Sequence, residues 1–218
     1  DVVVAKGMGC CGALTHHMGM EEESLPFMRR NIAAWTGEMD GEGLDALVIN
    51  ASGCGTTVKD YGFILRNEPE WAERAARVAA ITRDVSEVLI DLGMAPTGEA
   101  HKELRVAYHS PCSMQHGQRI REQPKVLLRD AGFAVLDIPE GHICCGSAGT
   151  YNLLQPELAD QLKRRKVANI ARIEPQVVAT GNVGCMTQIA SGTSIPLVHM
   201  VELLDWATGG PRPEAIAA

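Results

Sequence analysis

"GHICCGSAG" at 141–149 sets two cysteines side by side, and "KGMGCCGAL" at 6–14 does so again; the two stretches hold four of the seven cysteines. Adjacent residues of a strand point to opposite faces, so a neighbouring pair serves one site only where the chain turns. Gly12 and Gly146 follow the pairs and supply that turn, because glycine accepts positive φ and lets the backbone approach a bulky group. Seven is an odd count, and the opening "DVVVAKG" lacks the form of a secretion signal. Both facts argue against a disulfide framework and for metal or redox chemistry.

Working outward from the two pairs, the chain repeats itself. "SLPFMRRNIAAW" and then "LDALVINASGC" follow the first pair; "ELADQLKRRKVANI" and then "PQVVATGNVGC" follow the second. Arg29-Arg30 lies 18 positions after Cys11, and Arg164-Arg165 lies 19 after Cys145. A lone cysteine comes 43 positions after Cys11 (Cys54) and 40 after Cys145 (Cys185). Cys112 precedes Cys144 by 32 positions, an offset the first block has no room for. The abrupt start reads as a strand entered partway through. We therefore expect a first CCG block over 1–93, N-terminally incomplete, a linker over 94–104 at "GMAPTGEAHKE", and a second CCG block over 105–218.

Short β-branched runs at 45–50, 105–110, 134–139 and 176–181 end in small or turn residues and predict strands. Trp71, Ala75, Val78, Thr82, Val85, Leu89 and Leu92 keep a 4-3 spacing that predicts one helix over 69–92. Leu154, Leu158 and Leu162 recur every four residues around Pro156, which suits the first turn of another. The expected fold is α/β, two pseudo-repeated strand–helix blocks with mostly parallel sheets.

In this plan every cysteine lies just past the carboxyl end of an expected strand, the edge where parallel sheets bind ligands. Cys112, Cys144, Cys145 and Cys185 can thus converge although they span 73 residues. Four gathered thiolates are what a [4Fe-4S] cluster needs. The amides of Ser147 and Ala148 are then free to bond cluster sulfurs. Cys54 and Cys185 each open a helix, whose dipole favours a thiolate. Buried unreactive thiols, a structural zinc site and a vicinal disulfide remain alternatives, although zinc prefers shorter cysteine spacing. His109, two residues before Pro111-Cys112, is a candidate hydrogen-bond donor to the site or a packed strand-end residue. His16-His17 and the arginine pairs read as surface features. "GNVG" and "GSAG" do not match a dinucleotide-binding fingerprint.

The 218 residues carry 20 Lys plus Arg against 27 Asp plus Glu, a net charge of −7 with no basic block, which makes nucleic acid a poor partner. The longest apolar candidate for a membrane span, Ala75–Leu92, is broken by Arg77, Arg83, Asp84, Glu87 and Asp91.

"CCGAL", "ASGCGTTVKDYG", "CSMQHGQ", "CCGSAGTYNLLQPELADQL" and "GNVGCMTQIASG" together resemble the cysteine-rich CCG family, and within it the iron–sulfur subunits of glycolate-oxidising complexes. The resemblance implies an electron-transfer subunit that passes electrons from flavin-containing dehydrogenase subunits towards a membrane quinone. No catalysis by the chain alone is implied. It implies a cytoplasmic location, with peripheral contact at the plasma membrane, and an N-terminal ferredoxin-like domain that this sequence does not contain. Cys112, Cys144, Cys145 and Cys185 correspond to the ligands of one cluster; Cys10, Cys11 and Cys54 correspond to three ligands of a second whose fourth is missing. Relatives with lactate-utilisation or heterodisulfide-reductase chemistry are the alternatives. The latter end each block in C-x-x-C, whereas Thr57 and Gln188 stand here, so cubane ligation without disulfide reduction is expected.

Overall fold

The computed structural model describes residues 1–93 and 103–216. They divide into two units, Asp1–Val85 and Ser86–Ala218, each built on its own core. Most of the expected linker, residues 94–102, lies outside the described residues.

The first unit runs α1 (Ala13–His17), α2 (Glu21–Asp40), β1 (Leu47–Ile49), α3 (Ser52–Lys59), α4 (Tyr61–Ile64), α5 (Ala72–Ile81) and β2 (Thr82–Asp84). Met28, Ile32 and Trp35 recur at helical spacing on α2 and are buried with Val58, Tyr61, Leu65, Ala75 and Val78. The opening residues form no strand, contrary to the sequence reading, and Val2, Val3 and Val4 are exposed. Among the described residues, no strand precedes Cys10 and Cys11.

The single helix expected over 69–92 is also interrupted. α5 stops at Ile81, and Thr82–Asp84 extends to pair in parallel with β1, Leu47 opposite Thr82 and Ile49 opposite Asp84. Thr82 is β-branched and fully buried, and its hydroxyl donates to the Val78 carbonyl at 2.7 Å, closing the helix end with its own side chain. Both Thr82 and Asp84 point inward, with Arg83 outward, a period of two that the 4-3 apolar count does not distinguish from helix.

α6 (Val85–Asp91) leads into the second unit: β3 (Arg105–His109), a π-helical turn (Ser113–Gly117), α7 (Gln123–Asp130), β4 (Ala134–Asp137), α8 (Tyr151–Leu154), α9 (Pro156–Ala171), β5 (Val177–Thr180), α10 (Val183–Ala190), β6 (Leu197–His199), α11 (Met200–Ala207) and a 3-10 turn (Glu214–Ile216). The four strands form one parallel sheet in the order β4-β3-β5-β6. β3 and β5 are buried along nearly their whole length, as strands covered on both faces must be. Val106, Tyr108, Val177, Ala179 and Val198 pack with Leu127, Leu128, Leu203 and Leu204 from α7 and α11. Ala107 and Val178 point the other way, to Ile170 and Ile189 on α9 and α10.

That second core also contains Cys145 and Cys185. The strand order reverses between β3 and β5, and crevices at such a point, beyond the carboxyl ends of the strands, are where doubly wound sheets bind ligands. The loops carrying Cys112, Cys144-Cys145 and Cys185 all leave from that edge. α9 starts at Pro156, as the leucine spacing leads one to expect, with Leu158 49% exposed and a buried face of Ala159, Lys166, Asn169 and Ile170.

Candidate metal centre

All seven cysteines are free thiols. In the second unit, four form a connected series. Cys112 donates to Cys144, and Cys145 makes thiol contacts with both Cys144 and Cys185. Cys145 and Cys185 are 1% and 3% exposed, while Cys112 and Cys144 are half-buried, so the series runs from an accessible rim into the core.

Local backbone geometry explains how two adjacent cysteines join one series. Gly146 has φ +97°, and a Cβ there would collide with the Ala159 carbonyl of α9. Only glycine fits, and the turn folds the chain back so that the Gly146 amide donates to the Cys144 sulfur at 3.3 Å. The amide of Ala148 serves Cys144, and that of Ser147 serves Cys145. The Asn182 carboxamide donates to the Cys185 sulfur at 3.4 Å.

These donors divide the protons of the thiols. The Cys112 thiol donates to Cys144, which, with the nearby Cys145, holds the Cys144 thiol far below its ordinary value. Cys112, the donor to Cys144, is raised by that bond and by burial. Cys145 donates to Cys185 and holds it down to about 5, against the opposing effect of burial. A site that stabilises thiolates in a largely buried setting is primed for a soft metal, which binds thiolate rather than thiol.

His109, the last residue of β3, lies at the same place. One ring nitrogen is within 4.8 Å of the Cys145 and Cys185 sulfurs. The residue is 2% exposed, and its imidazole bonds the Cys185 sulfur, which favours that thiolate. Four thiols, backbone amides aimed at sulfur and a buried imidazole beside Cys145 and Cys185 fit an iron–sulfur cluster.

The first unit gathers the other three. Cys11 donates to Cys54, which lowers Cys54 to about 7 and, with burial, raises Cys11; Cys10 acts on Cys54 through its charge. Cys54 is the third residue of α3 and Cys185 the third of α10, as the repeat implies. Gly12 takes φ +77°, the counterpart of Gly146. The positions of the absent second cysteines are engaged within the protein. Thr57 donates to the Gly53 carbonyl at 3.3 Å, and Gln188 accepts from the Asn152 carboxamide at 3.3 Å.

Three supporting residues escaped the sequence reading. Asn31 of α2 is fully buried; its carboxamide accepts from the Gly9 amide at 2.7 Å and donates to the Cys10 carbonyl at 3.0 Å. Tyr61 donates to the Cys11 carbonyl at 2.8 Å. Lys166 of α9 is 1% exposed and donates to the Glu140 carbonyl at 3.2 Å, in the loop that leads to Cys144. The signal for two of them was present: "RRN" and "RRK" occupy the same place in the two repeats. The arginine pairs are not wholly idle surface either. Arg29 pairs with Glu68 at 2.7 Å, and Arg165 pairs with the Glu140 carboxylate.

The family model of the cysteine-rich domain, CCG, matches residues 1–59 and 106–190, and the chain belongs to that family. Among its curated relatives, the glycolate oxidase iron-sulfur subunit of Escherichia coli (strain K12) is 38% identical over 208 residues, covering 95% of this chain and 50% of that protein. The probable glycolate oxidase iron-sulfur subunit of Bacillus subtilis (strain 168) is 30% identical over 218 residues, covering 96% of this chain and 48% of that protein. Lactate utilization protein A of Bacillus licheniformis is 26% identical over 211 residues, with 94% of this chain and 86% of that protein covered. The chain spans about half the length of the two glycolate oxidase subunits. Among the described residues, no helix is long and apolar enough to cross a membrane.

Proposed function

We propose that this chain is the cysteine-rich part of an iron–sulfur electron-transfer subunit of a glycolate-oxidising complex. The observation that carries the reading is the convergence of Cys112, Cys144, Cys145 and Cys185 from three neighbouring strand ends onto one edge of a parallel sheet. A [4Fe-4S] cluster held there supplies one-electron transfer. Cys112 and Cys144 form the accessible side of the site, Cys145 and Cys185 its buried side, and the amides of Gly146, Ser147 and Ala148 supply fixed donors to sulfur. Thr57 and Gln188 in place of further cysteines support cubane ligation. Cys10, Cys11 and Cys54 are three ligands of a second site, completed by a ligand from elsewhere. The electron donor is a flavin-containing partner subunit and the acceptor a quinone at the membrane face.

Anaerobic reconstitution tests this directly. About four iron and four sulfide per chain, with a [4Fe-4S] EPR signal on reduction, is the expected result. Cys185→Ser is expected to abolish it, and full iron retention in that variant would remove Cys185 from the ligand set. The coverage of lactate utilization protein A supports a second reading, in which the donor complex oxidises lactate. Reduction of the reconstituted chain by a glycolate-fed or a lactate-fed flavin partner separates the two.

A further inference from the structure

Lysine is almost never buried without a partner of opposite charge. Lys166 is 1% exposed, yet among the described residues no carboxylate pairs with it. The nearby Glu140 carboxylate is occupied by Arg165 and by the Asn169 carboxamide at 2.8 Å, and offers Lys166 only its backbone oxygen. Lys166 reaches into the loop that leads to Cys144, and its neighbours on α9, Val167 and Ile170, pack with Cys144, Cys145 and Cys185, which places the ammonium beside the thiol set.

The first unit holds a neutral residue at the same place in its repeat. Asn31 follows Arg29-Arg30 as Lys166 follows Arg164-Arg165, is equally buried, and also ties its helix to the chain around the cysteine pair. A neutral carboxamide does that work. Tethering the loop therefore does not require a cation, and the charge at Lys166 calls for a separate reason.

We propose that Lys166 is a buried counter-charge that raises the reduction potential of the group held by Cys112, Cys144, Cys145 and Cys185. The proposal rests on the electron-transfer reading above. Reduction adds one electron, from a reduced flavin partner or from dithionite in vitro, with no bond made or broken at the site. The added negative charge is stabilised by a fixed ammonium in a setting too buried for water to screen it. Lys166 acts through the field alone and touches no reacting atom; it is a positioning residue for charge.

The test is a redox titration, followed by EPR, of the reconstituted full chain and its Lys166→Met and Lys166→Arg variants. Lys166→Met is expected to lower the reduced-to-oxidised ratio at the wild-type midpoint by at least tenfold, equivalent to 59 mV for one electron. Lys166→Arg keeps the charge and is expected to stay within threefold of wild type. An unchanged midpoint in Lys166→Met overturns the proposal, as does an equal fall in both variants, which marks packing rather than charge. Should Lys166→Met hold no cluster, Lys166→Gln is titrated in its place. Loss of the cluster from all three variants also overturns the proposal. A wild-type chain that binds neither iron nor sulfide refutes the electron-transfer reading itself, a distinct result.

Discussion

The hydroxyl of Tyr61 donates to the carbonyl oxygen of Cys11 at 2.8 Å, across 50 residues of chain. Tyr61 is fully buried, which pushes its own ionisation well above the usual phenol range and keeps the proton that makes this bond. The ring stacks on Trp35 with centroids 6.3 Å apart. Tyr61→Phe preserves the stacking and leaves the Cys11 carbonyl without its donor. A loss of about 1–3 kcal/mol is expected, read as a lower urea midpoint for the first unit. An unchanged midpoint would show that water replaces the hydroxyl without cost.

Gly146→Ala forces a side chain into φ +97° and against the Ala159 carbonyl. Backbone strain alone contributes about 1–3 kcal/mol, and the collision adds to it. Because this turn aims the amides at Cys144, the variant is expected to lose cluster retention as well as thermal stability. Gly132→Ala, also at positive φ (92°) but in the turn after α7, provides the comparison: a similar strain with iron content intact.

Glu140 gives the second unit a defined acid sensitivity. Arg165 and then Asn169 bond its carboxylate and hold it down to about 2, below the unfolded value of about 4.3. A lowered folded value means the contribution is complete above the unfolded value and drains away as pH falls towards 2. Glu140→Gln is expected to be less stable than wild type at pH 7, with the gap closing in that acid window. Equal stability of the two proteins at pH 7 would contradict this.

In the metal-free protein the half-buried thiols differ in proton state. Cys54 is lowered to about 7 by the Cys11 thiol, whereas Cys112 is raised by donating to Cys144 and by burial. Alkylation rate follows the thiolate fraction. Iodoacetamide labelling with peptide mapping is expected to modify Cys54 increasingly through pH 7, below the ordinary thiol range near ~8.5, while Cys112 lags. Equal rates would remove the Cys11–Cys54 interaction.

β3 and β5 of the second unit were legible because they are short, largely apolar runs buried along nearly their whole length. β6 is three residues long and follows Pro196 directly, too brief for any pattern to stand out. β2 was hidden for a different reason: Thr82 fits the helical spacing as well as the strand, and the other inward position, Asp84, is charged and adds no apolar signal. On α9 the helix and its start at Pro156 were legible, but its buried face was not, because two of the four buried positions hold Lys166 and Asn169, polar residues that serve the loop before Cys144. The convergence of cysteines followed from strand ends alone. The residues that hold the cysteine loops did not, since their roles depend on which helix face meets which loop.

The placement of Cys185 after β5, a strand that pairs directly with β3, also governs the order in which the site can be assembled during synthesis. Cys112, Cys144 and Cys145 leave the ribosome first, and Cys185 follows 40 positions after Cys145. At a translation rate of about 5–20 residues per second, the nascent chain carries three thiols without the fourth for roughly 2–8 seconds. Only when β5 docks on β3 does the set close, so maturation is gated by completion of the sheet. A truncated chain ending before β5 has no means of making the full thiol set.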